Sequence, residues 1–212
     1  MLFLYVTIGI SNVMLFLASI WNIKDHFKYS NPGRNLRMFL MFLLAIEIIS
    51  KLFIYLLYAT DMKFLFNIFV AGELLLLTNF TNSLAPHKNQ FSKLYLGIFL
   101  LLIAASVFNE FQPILWMKWI KPISNIIIVL ELGRCLLFSL KAGYQNHSKK
   151  LFYVQFALFL YYFVSTILFL VLNQLQSLNI EYAGYLWSIN NILSCSLYAV
   201  CLYYFYSTQK SI

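Results

Sequence analysis

Seven stretches of mostly apolar residues, each close to the length that crosses a bilayer, dominate this chain: Leu2–Ile20, Met38–Tyr58, Phe64–Leu84, Leu94–Phe108, Ile123–Leu140, Leu151–Leu172 and Tyr185–Tyr206. A helix crossing a ~30 Å hydrocarbon core needs roughly 20 such residues, because in lipid every backbone N–H and C=O must be satisfied within the segment. Strand alternation is absent, which argues against a β-barrel. Hydrophobic residues make up 62% and charged residues 10%, whereas a soluble domain carries about a quarter charged residues. That balance excludes a cytosolic enzyme, a secreted disulfide scaffold and a disordered tail. The expected fold is all-α: a polytopic membrane helix bundle of about seven transmembrane helices, with residues 1–212 forming one domain with short loops.

Basic residues orient the spans, because positively charged loops stay on the cytoplasmic side. Lys24, Lys28, Arg34 and Arg37 follow the first stretch, Lys88 and Lys93 the third, Lys141, Lys149 and Lys150 the fifth, and Lys210 the last. The opposite side holds only Lys63, Lys118 and Lys121. The asymmetry predicts an N-terminus outside and a C-terminus in the cytoplasm. The first stretch lacks a basic leader region and its apolar run is long for a signal peptide, so it reads as a span. The net charge of +8 needs no nucleic-acid partner. It is the positive-inside signal together with attraction to anionic lipid headgroups, and Arg34, Arg37, Lys149 and Lys150 form the expected cytoplasmic basic patch.

Punctuation fits this layout. Asn31-Pro32-Gly33 reads as a turn before the second span, and Pro122 as the first position of the fifth helix. Trp116 and Trp119, interleaved with Lys118 and Lys121, read as an outer interfacial segment. On this reading no proline lies inside a span, which counts against transporters that expose backbone through broken helices.

Five charged side chains fall within the expected spans: Glu47, Lys51, Glu73, Glu131 and Arg134. At a helix centre each costs roughly 2.5–3.5 kcal/mol on the insertion scale. Glu47, Glu73 and Glu131 lie roughly 12–14 Å from the start of their spans, near the midplane. Glu47 and Lys51 are spaced i,i+4, and Glu131 and Arg134 i,i+3, so each pair meets on one helix face. Glu73 has no partner on its own helix. It is protonated, paired across helices to Lys51 or Arg134, or open to a water-filled cavity. Two readings stay open: pairs that knit helices together, or a midplane site for a proton, cation or amine-bearing ligand centred on Glu73. Polar stripes could line the same space: Trp187, Asn191, Ser194 and Tyr198 on the last span, Gln155, Tyr162 and Thr166 on the sixth. The bland reading of such stripes is interhelix hydrogen bonding.

No motif for chemistry emerges. The last span has no lysine for a retinal Schiff base, and no span has a histidine. No Ser/His/Asp set and no Gly-rich phosphate loop is present. His26, His87 and His147 lie in the expected cytoplasmic loops and read as solvated rather than metal-binding. Cys135, Cys195 and Cys201 read as small apolar residues. No cofactor or metal is expected.

Glu47, the Gly72-Glu73-Leu74 turn, the aromatic run Phe152–Phe163, and Trp187–Asn191 with Ile192 and Leu193 carry a family likeness. In these features the chain resembles uncharacterised seven-span inner-membrane proteins of bacteria, some of them encoded beside signalling proteins. The resemblance covers the chain loosely and brings no activity with it. It implies the seven-span topology, a bacterial inner (cytoplasmic) membrane and a sensory or accessory role. The preferred function is therefore a non-catalytic membrane module, working as a sensor or accessory subunit through a protein partner or a homo-oligomer. A transporter or channel using the midplane carboxylates is the alternative. A lipid-modifying enzyme, lacking any nucleophile or ligand set, is the third.

Overall fold

The computed structural model describes residues 2–21, 30–56, 63–84, 113–141, 149–175 and 180–209, with 97, 100 and 104 as isolated positions. Six helices hold nearly all of them: α1 (Leu2–Ile20), α2 (Asn31–Leu56), α3 (Lys63–Leu84), α4 (Pro113–Lys141), α5 (Lys149–Leu175) and α6 (Ile180–Gln209). The described protein is all-α, and each of the 6 helices contains a stretch long and apolar enough to cross a membrane. That is the architecture of an integral membrane protein. Of the expected fourth span, only residues 97, 100 and 104 are described, each helical and exposed.

Two helix starts differ from the sequence reading. Asn31-Pro32-Gly33 is the first turn of α2 rather than a break before it. Ser30 caps that helix, its carbonyl accepting the Arg34 N–H at 3.0 Å. Pro32 costs nothing there, since first-turn N–H groups have no intrahelical acceptor anyway. The second difference is larger. Pro122 lies inside α4, which begins nine residues earlier at Pro113. A helix-interior proline supplies no N–H to the carbonyl four residues before it and crowds that turn. The apolar run after Pro122 hid the helix in front of it.

The chain divides into two compact units, Met1–Lys24 with Asn125–Ile212, and Asp25–Ser124. In the first, α6 packs against both α1 and α5. Leu15 and Ala18 of α1, Val154, Leu158 and Tyr162 of α5, and Leu197, Cys201 and Phe205 of α6 are among its buried residues. The C-terminal part of α4 joins it through Ser139 Oγ, which donates to Gln155 Oε1 at 3.1 Å, and through Asn125 Nδ2, which donates to Ser165 Oγ at 3.3 Å. Asn191 Nδ2 reaches Thr7 Oγ1 at 3.5 Å between α6 and α1. In the second unit α2 packs on α3, burying Leu36, Phe39 and Leu40 against Val70, Leu74, Leu77 and Phe80. Gly72 permits the close approach, because a Cβ there would run into the ring of Phe42.

In both units long apolar side chains remain exposed, among them Tyr55 at 72% and Leu130 at 68%. Water would make such surfaces an aggregation hazard, whereas lipid tails accept them.

Candidate functional site

The unpartnered acid of the sequence reading finds its cation on α4. Glu73 on α3 and Lys121 on α4 form an ion pair between Oε2 and Nζ, with side chains only 2% and 4% exposed. Lys121 Nζ also lies 4.5 Å from the centroid of the Phe69 ring. Phe69 precedes Glu73 by four residues, so the ammonium meets an aromatic face and a carboxylate on one side of α3. Lys121 was expected on the outer surface beside Trp119; instead it is buried while Trp119 is 50% exposed. The reason is electrostatic. Two opposite charges facing each other in a low-dielectric interior offset much of the desolvation either would suffer alone.

Buried polar residues lie on the same two helices. Asn67 on α3 and Ser124 on α4 are buried, and Ser124 Oγ has no hydrogen-bond partner among the described residues. Pro122 follows Lys121 directly, so the helix loses a backbone hydrogen bond next to the buried charge. The pair is neutral whether the proton stays on the lysine or moves to the carboxylate. It can hold helices together or pass a proton, but it offers no net negative charge to a cation.

The other two acids keep the partners that their spacing predicts. Lys51 Nζ lies 3.4 Å from Glu47 Oε1, with side chains 46% and 37% exposed. Arg134 Nη2 donates to Glu131 Oε2 at 3.1 Å, the arginine 43% exposed and the glutamate 8%. Glu47 and Glu73 belong to one unit and Glu131 to the other.

The polar stripes turn mainly to neighbouring helices or to their own backbone. Besides the bond from Asn191 to Thr7, Ser194 Oγ donates to the Asn190 carbonyl at 3.0 Å and Thr166 Oγ1 to the Tyr162 carbonyl at 2.7 Å. Trp187 sits edge-on to Phe169 at 5.5 Å, and Tyr198 is buried.

The basic residues of the expected patch differ among themselves. Arg34 Nη2 donates to Asn31 Oδ1 at 2.9 Å. Arg37, expected in a loop, is fully buried within α2; the helix begins six residues before it and carries it inside. Lys149 is exposed, and Lys150 Nζ donates to the Ser207 carbonyl at 2.6 Å. The three histidines lie outside the described residues. Among the described residues no group of three or more His, Cys, Asp or Glu side chains could hold a metal, and the three cysteines are free thiols.

No protein-family model, curated protein or solved structure matches the chain. What it does is therefore argued from its own geometry. The residue that sequence reasoning missed is Lys121. The signal for it was negative: Glu73 has no cation three or four residues away on its own helix, which leaves a lysine elsewhere as a candidate.

Proposed function

We propose that this is a bacterial inner-membrane protein with seven spans, its N-terminus outside and its C-terminus cytoplasmic. It acts without catalysis, as a sensor or accessory subunit working through a partner chain. The observation that carries this reading is the Glu47–Lys51 pair. It lies within an apolar helix yet is more than a third exposed on both side chains, among exposed Ile48, Ile49, Leu52 and Phe53. Charges within a span almost always face protein or water, and an uncovered pair in lipid costs several kcal/mol on the insertion scale. A helix from another chain, or from a second copy, laid along residues 47–56 would cover it. The other two carboxylates also have a cation at hand, which favours structure over cation transport.

Native mass spectrometry of the protein, gently extracted from its own membrane, tests this. A second protein or a second copy at defined stoichiometry is the expected result, lost on Glu47→Leu/Lys51→Leu. A monomer unaffected by that substitution would overturn it.

A proton-coupled transporter is the second reading, favoured by Pro122 beside the buried Glu73–Lys121 pair. It requires that Glu73→Gln abolish flux in proteoliposomes while the protein stays folded. Under the subunit reading, neutralising Lys149 and Lys150 impairs function more than changing Glu73 does.

A further inference from the structure

One end of the unit formed by α1, α5, α6 and the C-terminal part of α4 gathers lysines and aromatic rings. α4 ends there at Lys141, which is exposed, and α5 begins there with Lys149 and Lys150. Lys150 ties the start of α5 to the end of α6 through the Ser207 carbonyl. Trp21, just past α1, meets Tyr206 of α6 edge-on at 6.0 Å. Aromatic rings mixed with lysines at helix ends are the signature of a headgroup-level belt.

A groove of about 550 Å³ runs between α5 and α6 from this end. Tyr153, Ala157 and Tyr161 line it on α5, facing Leu197, Val200 and Tyr203 on α6. Tyr153 lies one turn beyond Lys149 and Lys150, and Tyr203 one turn before Ser207, so the lysines stand one turn past that end of the groove. Its lining is mostly apolar, made of aliphatic side chains and aromatic rings, with Ser196 Oγ turned back to the Ile192 carbonyl at 3.1 Å. Along the helices it extends ~12–15 Å, about half the ~30 Å hydrocarbon core, the depth of one leaflet.

We infer that this groove is a binding site for an anionic glycerophospholipid, with one acyl chain between α5 and α6 and the phosphate at Lys149 and Lys150. Charge complementarity selects that occupant over a protein helix. The cations stand one helical turn beyond the groove's end, and its lining is mostly apolar, the tyrosines at Tyr153, Tyr161 and Tyr203 being its main polar groups. Basic pockets between helices at the cytoplasmic surface take anionic headgroups in this way. The lysines also occupy the first turn of α5, where the helix dipole disfavours cations, so helix stability does not account for them. The inference concerns a different surface from the Glu47–Lys51 pair and stands without the partner reading.

The test is native mass spectrometry of the purified full chain with equal amounts of phosphatidylglycerol and phosphatidylcholine of matched chains. The wild type retains phosphatidylglycerol preferentially. Lys149→Gln/Lys150→Gln weakens that retention by about fivefold per lysine and leaves phosphatidylcholine unchanged. Ala157→Phe fills the groove and lowers retention of both lipids. Lys149→Gln alone, at an exposed side chain, remains informative even if Ala157→Phe fails to fold or the loss of the Lys150 bond to Ser207 loosens α5. Equal retention of the two lipids by the wild type, or unchanged selectivity in the double lysine variant, overturns the site. Displacement of the bound phosphatidylglycerol by inorganic phosphate alone overturns the acyl-chain half of it.

Discussion

Glu73 and Lys121 decide most of what can be said of single residues here. A buried ion pair adds little net stability, since desolvation offsets its attraction, but removing one partner strands the other charge. Glu73→Gln should therefore destabilise the protein by about 3–5 kcal/mol, read as a lower unfolding midpoint in micelles. Glu73→Gln/Lys121→Met, which removes both charges, should recover most of that loss. If the double variant is no more stable than the single one, the two residues do not act as a pair. Gly72, one residue earlier, lies under the Phe42 ring. Gly72→Ala must push that ring aside and should cost about 1–3 kcal/mol as an overpacked contact, measurable in the same unfolding assay.

Among the elements, α4 is the one whose local sequence and tertiary setting disagree. A proline ten residues into a 29-residue helix costs the helix about 3 kcal/mol or more relative to a good helix former. Pro122→Ala should raise the unfolding midpoint, and amide exchange at residue 122 should be slow where none existed before. If the loosened turn lets the neighbouring ion pair move, the same variant loses function while gaining stability. α2 raises the opposite question, because its last residues, 51–56, are all exposed. A cysteine replacing Phe53, which is 43% exposed, should cross-link to a second chain in native membranes. Cross-links only within the chain would remove the case for a partner on that face.

For the molecule as a whole, the topology is the first thing to measure. A fluorescent fusion that matures only in the cytoplasm should shine at the C-terminus and stay dark at the N-terminus; the reverse would overturn the proposed orientation. Much of this scale was legible in the amino-acid order. Apolar length alone marks the membrane-spanning helices, because a lipid-embedded backbone must close its hydrogen bonds within the segment. The Glu47–Lys51 and Glu131–Arg134 pairs were legible for the same kind of reason, since i,i+4 and i,i+3 spacing brings side chains together on any helix. What only the tertiary structure decided is which long-range neighbours meet. Lys121 stands 48 positions from Glu73, and its local setting of tryptophan, lysine and proline resembles a membrane surface. Only the tertiary approach of Lys121 to Glu73 makes it cheaper to bury that lysine against a carboxylate than to leave Glu73 alone in a low dielectric. The buried Arg37 and the groove between α5 and α6 follow the same rule. Local sequence determines where a helix runs and which residues share its face, whereas the cost of a charge or the shape of a cleft depends on the neighbour that packing supplies.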